Sequence, residues 1–293
     1  MTIIDTPATS TPIAGIEARL RDADPRTREA AVTALARLAG SGRVSGAAGD
    51  ALAWALADED GAVRDVAATA LRDLPELYLG DDGVRALLLA AASGRDDRVR
   101  DTAAEVLAVL VRGAAELYAH GLQDDEPYVR VQAVLGLTAL RAAAEVAEAA
   151  DDPAREVRVA VAEGLARLAG PVAPTALDHL LADHDPVVRM AALDAAAVLG
   201  VPEPLAGRVI TATAHTSWQV RRRAALALGA ADPEIAVRPL VRALRDRIVD
   251  VRRAAIQSLE RWAADHPEAL AALTEALADP DPGVRTQARW ALA

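Results

Sequence analysis

The chain carries five histidines, His120, His179, His184, His215 and His266, and no cysteine. His179 and His184, beside Asp178, Asp183 and Asp185, are the densest set of side chains able to ligate a metal. A five-residue step turns two rings about 140° apart on a helix. Asp183 and Asp185 also fall where acids cap a turn. No metal and no cofactor is therefore expected. Without Cys there is no thiolate zinc site, redox pair or thiol nucleophile. Without Lys no GxxxxGK[ST] phosphate loop can be completed, and no GxSxG elbow occurs. The acid pairs Asp81-Asp82, Asp96-Asp97 and Asp124-Asp125 read as solvated caps in turns.

The remaining chemistry belongs to arginine, which supplies all 32 basic residues. SWQVRRR (217–223) and DVRRAA (250–255) place consecutive Arg at matching points of the sequence. Guanidinium forks suit carboxylates or phosphates, and a neighbouring Trp offers a stacking plane. The blander expectation is that these Arg pair with Asp246, Asp250 and Glu260. Trp218 is expected to be exposed in a turn, and Trp262 to pack in the core.

Composition bounds what can position these groups. The 293 residues include 72 Ala and no Phe, Lys or Asn, a bias expected of GC-rich coding. Hydrophobic content of 52% argues against a wholly disordered chain. No uncharged apolar run is long enough to span a membrane, and MTIIDTPATSTP does not resemble a secretory signal. A cytoplasmic protein without a membrane partner is expected. The net charge of −11 disfavours general nucleic-acid binding. Residues 208–261 nonetheless hold 11 Arg against 5 acids.

One Arg recurs nine times, as Arg28, Arg64, Arg100, Arg130, Arg158, Arg189, Arg221, Arg252 and Arg285. The preceding residue is Val in eight copies; position +3 is Ala in eight and +7 is Leu in eight. Position −6 is Asp in seven. Val at −1, Ala at +3 and the apolar residues at +6, +7 and +10 make one helical stripe. Asp24-Pro25, Asp185-Pro186 and Asp281-Pro282 pair an N-cap acid with a first-turn Pro. A second apolar segment, such as LVRALRD (240–246), precedes each turn. Each copy therefore reads as two antiparallel helices, and stacking of copies closes the core. Residues 1–11 are expected to be a flexible tail and 12–293 one repeat domain.

The pattern D-P-x-x-V-R-x-x-A-x-x-A-L resembles HEAT repeats, in particular the short HEAT-like subtype of phycobilin lyases. DHDPVVRMAALDAA (183–196) and DPDPGVRTQARWAL (279–292) carry the resemblance most clearly. It implies an all-α solenoid, a right-handed superhelix of about nine repeats. It also implies that the nine anchor Arg form a structural ladder linking neighbouring repeats, and that the Val-Arg helices line a concave face. Deoxyhypusine hydroxylases share the architecture but use His-Glu pairs, and this chain has no His-Glu dipeptide.

Helical geometry puts positions +1 and +5 opposite the apolar stripe. Early copies are acidic there (Glu29, Asp65, Asp101, Glu105). The middle carries Val131, Leu135, Val159 and Met190, and the last third Arg222, Arg223, Arg253 and Arg289 beside Trp290. This favours a non-catalytic scaffold holding a protein or peptide partner along the concave face. The alternatives are a lyase-like or chaperone-like accessory acting on a tetrapyrrole or other small molecule, and a nucleic-acid protein using the Arg-rich third. The acidic early copies would repel a duplex. The motif runs to Leu292-Ala293 without a polar cap, which leaves self-association through the C-terminal repeat open.

Overall fold

The computed structural model describes residues 12–40, 46–74 and 79–293; the expected tail, 1–11, lies outside the described residues. Among the described residues all regular structure is helical, and the chain gathers into two compact units, residues 1–114 and 115–293.

The first unit holds α1 (Pro12–Leu20), α2 (Pro25–Gly40), α3 (Gly46–Ala55), α4 (Gly61–Asp73), α5 (Asp81–Ser93) and the start of α6 (Asp97–Gly121). The Val-Arg helices α2 and α4 pack together, and α3 packs on α5. Their shared core centres on Leu35, Leu52, Leu56 and Leu87, all fully buried.

The second unit takes in the end of α6, then α7 (Pro127–Ala139), α8 (Ala143–Glu148), α9 (Arg155–Leu168), α10 (Ala173–Leu181), α11 (Pro186–Val198), α12 (Glu203–Ala212), α13 (Trp218–Leu228), α14 (Pro233–Ala243), α15 (Val249–Leu259), α16 (Pro267–Ala276) and α17 (Pro282–Ala291). It has two layers. The Val-Arg helices α7, α9, α11, α13, α15 and α17 pack in sequence, and α8, α10, α12, α14 and α16 stack beside them.

The repeat positions explain the packing. The +3 residues Ala133, Val161, Ala192, Ala224, Ala255 and Ala288 are all buried. The +7 residues Leu137, Leu165, Ala196, Leu228 and Leu259 are completely buried. Small residues at +3 let neighbouring helices come close, and each Leu at +7 gains about 1.5–3 kcal/mol from burial. Helix starts follow the acids: the Asp60 carboxylate accepts from the Ala62 and Val63 amides, Asp185 from Val187, and Asp281 from Val284.

One expected turn is missing. The third Val-Arg helix and the next repeat's leading helix are fused into the 25-residue α6. The segment VRGAAELYAHG (111–121) contains no Pro and no acid-Gly turn, so nothing stops the helix. Among the described residues seventeen α-helices therefore stand where nine complete pairs would give eighteen.

The helices α7 and α9 approach closely at Gly164. A Cβ on Gly164 would lie 2.5 Å from Thr138 Oγ1. Gly164→Ala is expected to cost about 1 kcal/mol, because crowding outweighs alanine's better helix propensity. Adding Thr138→Ala should restore the loss in a urea melt. A double variant no better than the single one would show that the contact is not what requires glycine.

Candidate functional site

Five repeat junctions share one guanidinium geometry. Arg130 donates through Nε and Nη2 to the two Asp152 carboxylate oxygens, at 2.7 and 2.9 Å. Its Nη1 donates to the backbone oxygens of Asp124 and Asp125, at 2.8 and 3.0 Å. Asp152 stands at −6 of the next copy and also accepts from the Ala154 amide. Each link thus joins one Val-Arg helix to its own turn and to the following turn. The same arrangement joins Arg28 to Asp58, Arg158 to Asp183, Arg221 to Asp246 and Arg252 to Asp279. Burial pushes these aspartates' carboxyls up. Hydrogen bonds from the Arg and the turn amide, with the nearby positive charge, outweigh burial and hold them below the usual carboxylate range.

The other anchors differ. Position −6 after Arg64 is Gly94, and Arg64 pairs instead with Asp96 at 3.0 Å. Arg100 donates to the Gly94 carbonyl and pairs with Asp97 on its own helix. Arg285 donates to the Asp279 and Pro280 carbonyls. Arg189 donates from Nε to the Asp183 carbonyl, and among the described residues no carboxylate pairs with it. The residue at −6 after Arg189 is His215. Its Nδ1 accepts from the Ser217 amide at 3.0 Å, as the ladder aspartates accept from their turns. Burial, then the charges of Arg189 and Arg221, hold the His215 imidazole below its ordinary pKa.

The +1 side chains lie on the exposed side of the Val-Arg layer. Val131, Val159 and Met190 are half-buried and pack partly on the core, while Leu135 is exposed. Val159 and Met190 line a groove of about 510 Å³ between α9 and α11. Val187 and Val198, the latter 70% exposed, form its apolar wall, and Glu163 and Arg167 stand at its rim. At the α13 end Arg223 pairs with Asp194 at 2.5 Å. Val187 and Val198 stand at −2 and +9, outside the registers that the sequence singled out.

Within the Arg-rich third the blander expectation holds at Arg221 alone among the described residues, where Asp246 is the partner; no ion pair there reaches Asp250 or Glu260. Arg223 turns to Asp194. Arg253 donates to Gln287 Oε1 at 3.0 Å, and Gln287 donates back to the Arg253 carbonyl. Arg222, half-buried, makes no ion pair or side-chain hydrogen bond among the described residues. Trp290 is 72% exposed. Arg289 stands at +4, a register buried as Val134, Ala162, Leu193, Ala225 and Ile256 in the five preceding copies. Arg289 itself is exposed, beside Trp290 but outside the +1/+5 registers. Trp218 opens α13 and packs half-buried against the core rather than projecting from a turn; Trp262 packs there as expected.

The histidines behave as single polar groups. His179 Nε2 lies 2.5 Å from Asp151, and His184 Nδ1 lies 3.3 Å from Asp183. Among the described residues no group of three His, Cys, Asp or Glu side chains is placed to hold a metal ion. No helix there is long and apolar enough to cross a membrane.

These features define an α-solenoid built from stacked helix pairs. The family model for HEAT repeats matches residues 13–108, 115–197 and 207–293, and the chain belongs to that family. Similar solved structures include an engineered protein with 20% identity and a TM-score of 0.44, covering 95% of this chain and 87% of its own. A designed armadillo repeat protein in complex with a (KR)4 peptide has 19% identity and a TM-score of 0.45, covering 70% of this chain and 96% of its own. Escherichia coli YibA has 19% identity and a TM-score of 0.48, covering 93% of this chain and 98% of its own. No curated protein matches the sequence.

Proposed function

We propose that this HEAT-repeat chain is a non-catalytic scaffold that holds a protein or peptide on its Val-Arg helices. The observation that carries this is the apolar groove of Val159, Met190, Val187 and Val198, which lies open on the second unit. Repeat packing accounts for the buried stripe at −1, +3 and +7, but it does not require Val or Met at +1. Water-exposed apolar side chains gathered in one groove cost little in the bound state and favour a partner that covers them. The ladder arginines have a structural part in this reading, because their donors are taken by turn carbonyls and, at most junctions, carboxylates.

The test is affinity capture with the purified chain as bait, followed by mass spectrometry. Met190→Asp with Val159→Asp should lower recovery of each specific partner by about tenfold or more, with circular dichroism unchanged. Equal recovery by a folded variant would remove the groove from the binding surface.

A further inference from the structure

The groove has a charged continuation. Val159, Met190, Arg222 and Arg253 occupy the same +1 register on the consecutively packed helices α9, α11, α13 and α15. Neither Arg222 nor Arg253 belongs to the ladder. Arg222 has no acidic partner among the described residues, and Arg253 has only the neutral Gln287. The nearest +5 side chains on these two helices, Leu226 and Gln257, carry no charge. At the other end of the groove stands the acid Glu163, while Asp194 is already neutralised by Arg223. Asp250, at −2 on α15, is exposed and makes no ion pair among the described residues, so the surface runs from apolar to net positive, two Arg against one acid, in the direction of the C-terminal repeats.

Resting on the groove reading above, we infer that the segment bound on the second unit is an extended acidic peptide. One apolar residue fills the Val159/Met190 groove, and carboxylates follow to meet Arg222 and then Arg253. Packed helices lie about 10 Å apart, and an extended chain advances about 3.3 Å per residue. Adjacent anchors are thus about three residues apart. Each guanidinium can offer a two-pronged hydrogen bond to a carboxylate, a geometry that a phosphate-free acidic segment satisfies fully.

The probes are fluorescein-labelled peptides in a Gly/Ser background. One carries a leucine with glutamates three and six residues later; a second has the reverse order. Twins replace both glutamates by glutamine or by lysine. Anisotropy at low salt should show one order of the glutamate peptide binding about tenfold or more tightly than its glutamine twin. Arg222→Gln with Arg253→Gln should erase that difference, and added salt should shrink it. A glutamine twin that binds equally well, or a lysine twin that binds better, would overturn the acidic assignment. If Met190→Asp still weakened all the peptides, the groove itself would stand. If Met190→Asp changed nothing while the Arg variant abolished binding, the groove reading would fail instead. No binding of either order to the folded chain would overturn the inference.

Discussion

Asp183→Ala should destabilise the second unit by about 3–5 kcal/mol, the largest loss expected of any single ladder substitution. The side chains of Arg158 and Asp183 are only 6% and 4% exposed, the most enclosed of the ion pairs. Removing the carboxylate leaves a buried guanidinium with two uncommitted donors, Nε and Nη2. It also strips the Asp185 amide of its acceptor, 2.8 Å away, at the turn that starts α11. The loss therefore combines an unpaired charge with a turn amide left without its acceptor. Replacing both partners by apolar residues, as in Arg158→Met with Asp183→Leu, removes the stranded charge and should recover much of the loss. Denaturant melts of the three proteins measure this directly. A single variant within about 1 kcal/mol of the parent would show that water reaches the pair and screens it.

Much of this ladder can be read in the sequence, because its chemistry is local and repeated. Val at −1, Ala at +3 and Leu at +7 fix which face of each helix is buried, and an Asp at −6 marks seven of the nine turns. What the spacing does not say is that Arg130 reaches Asp152 of the next copy with two nitrogens while its third grips its own turn. That depends on the offset between stacked helices, a tertiary quantity. The fusion of two helices into α6 has only a negative signal, the lack of a breaker between Arg112 and His120. On the +1/+5 face, Val159 and Met190 follow from periodicity. Val187 and Val198 do not, since their exposure arises where α11 passes its neighbours. Arg289 is exposed like its neighbour Trp290, although its +4 register is buried in the five preceding copies, a difference that periodicity does not foretell.

The break in the ladder at His215 gives the second large effect, and its sign is opposite. His215→Asp should raise stability at neutral pH by about 1.5–3 kcal/mol, the worth of hydrogen bonds between charged groups. The imidazole already occupies the turn position of a ladder aspartate and accepts the Ser217 amide, so the backbone is set for a carboxylate. Arg189, left with carbonyl partners only, would gain the pairing that Arg158 and Arg221 have. The pH dependence separates this cause from simple relief of crowding. Because burial and Arg189 depress the His215 pKa in the folded state, its contribution is present above the unfolded value of about 6.5. It is lost as pH falls below that value toward the depressed one. A ladder aspartate, whose folded pKa lies below about 3.9, keeps its contribution until the pH drops past that range. The advantage of His215→Asp should therefore widen from pH 7 to pH 5 in thermal melts and vanish when Arg189→Met is added. An equal gain from His215→Ala, or a gain that survives without Arg189, would show that the missing carboxylate is not what weakens the α11–α13 junction.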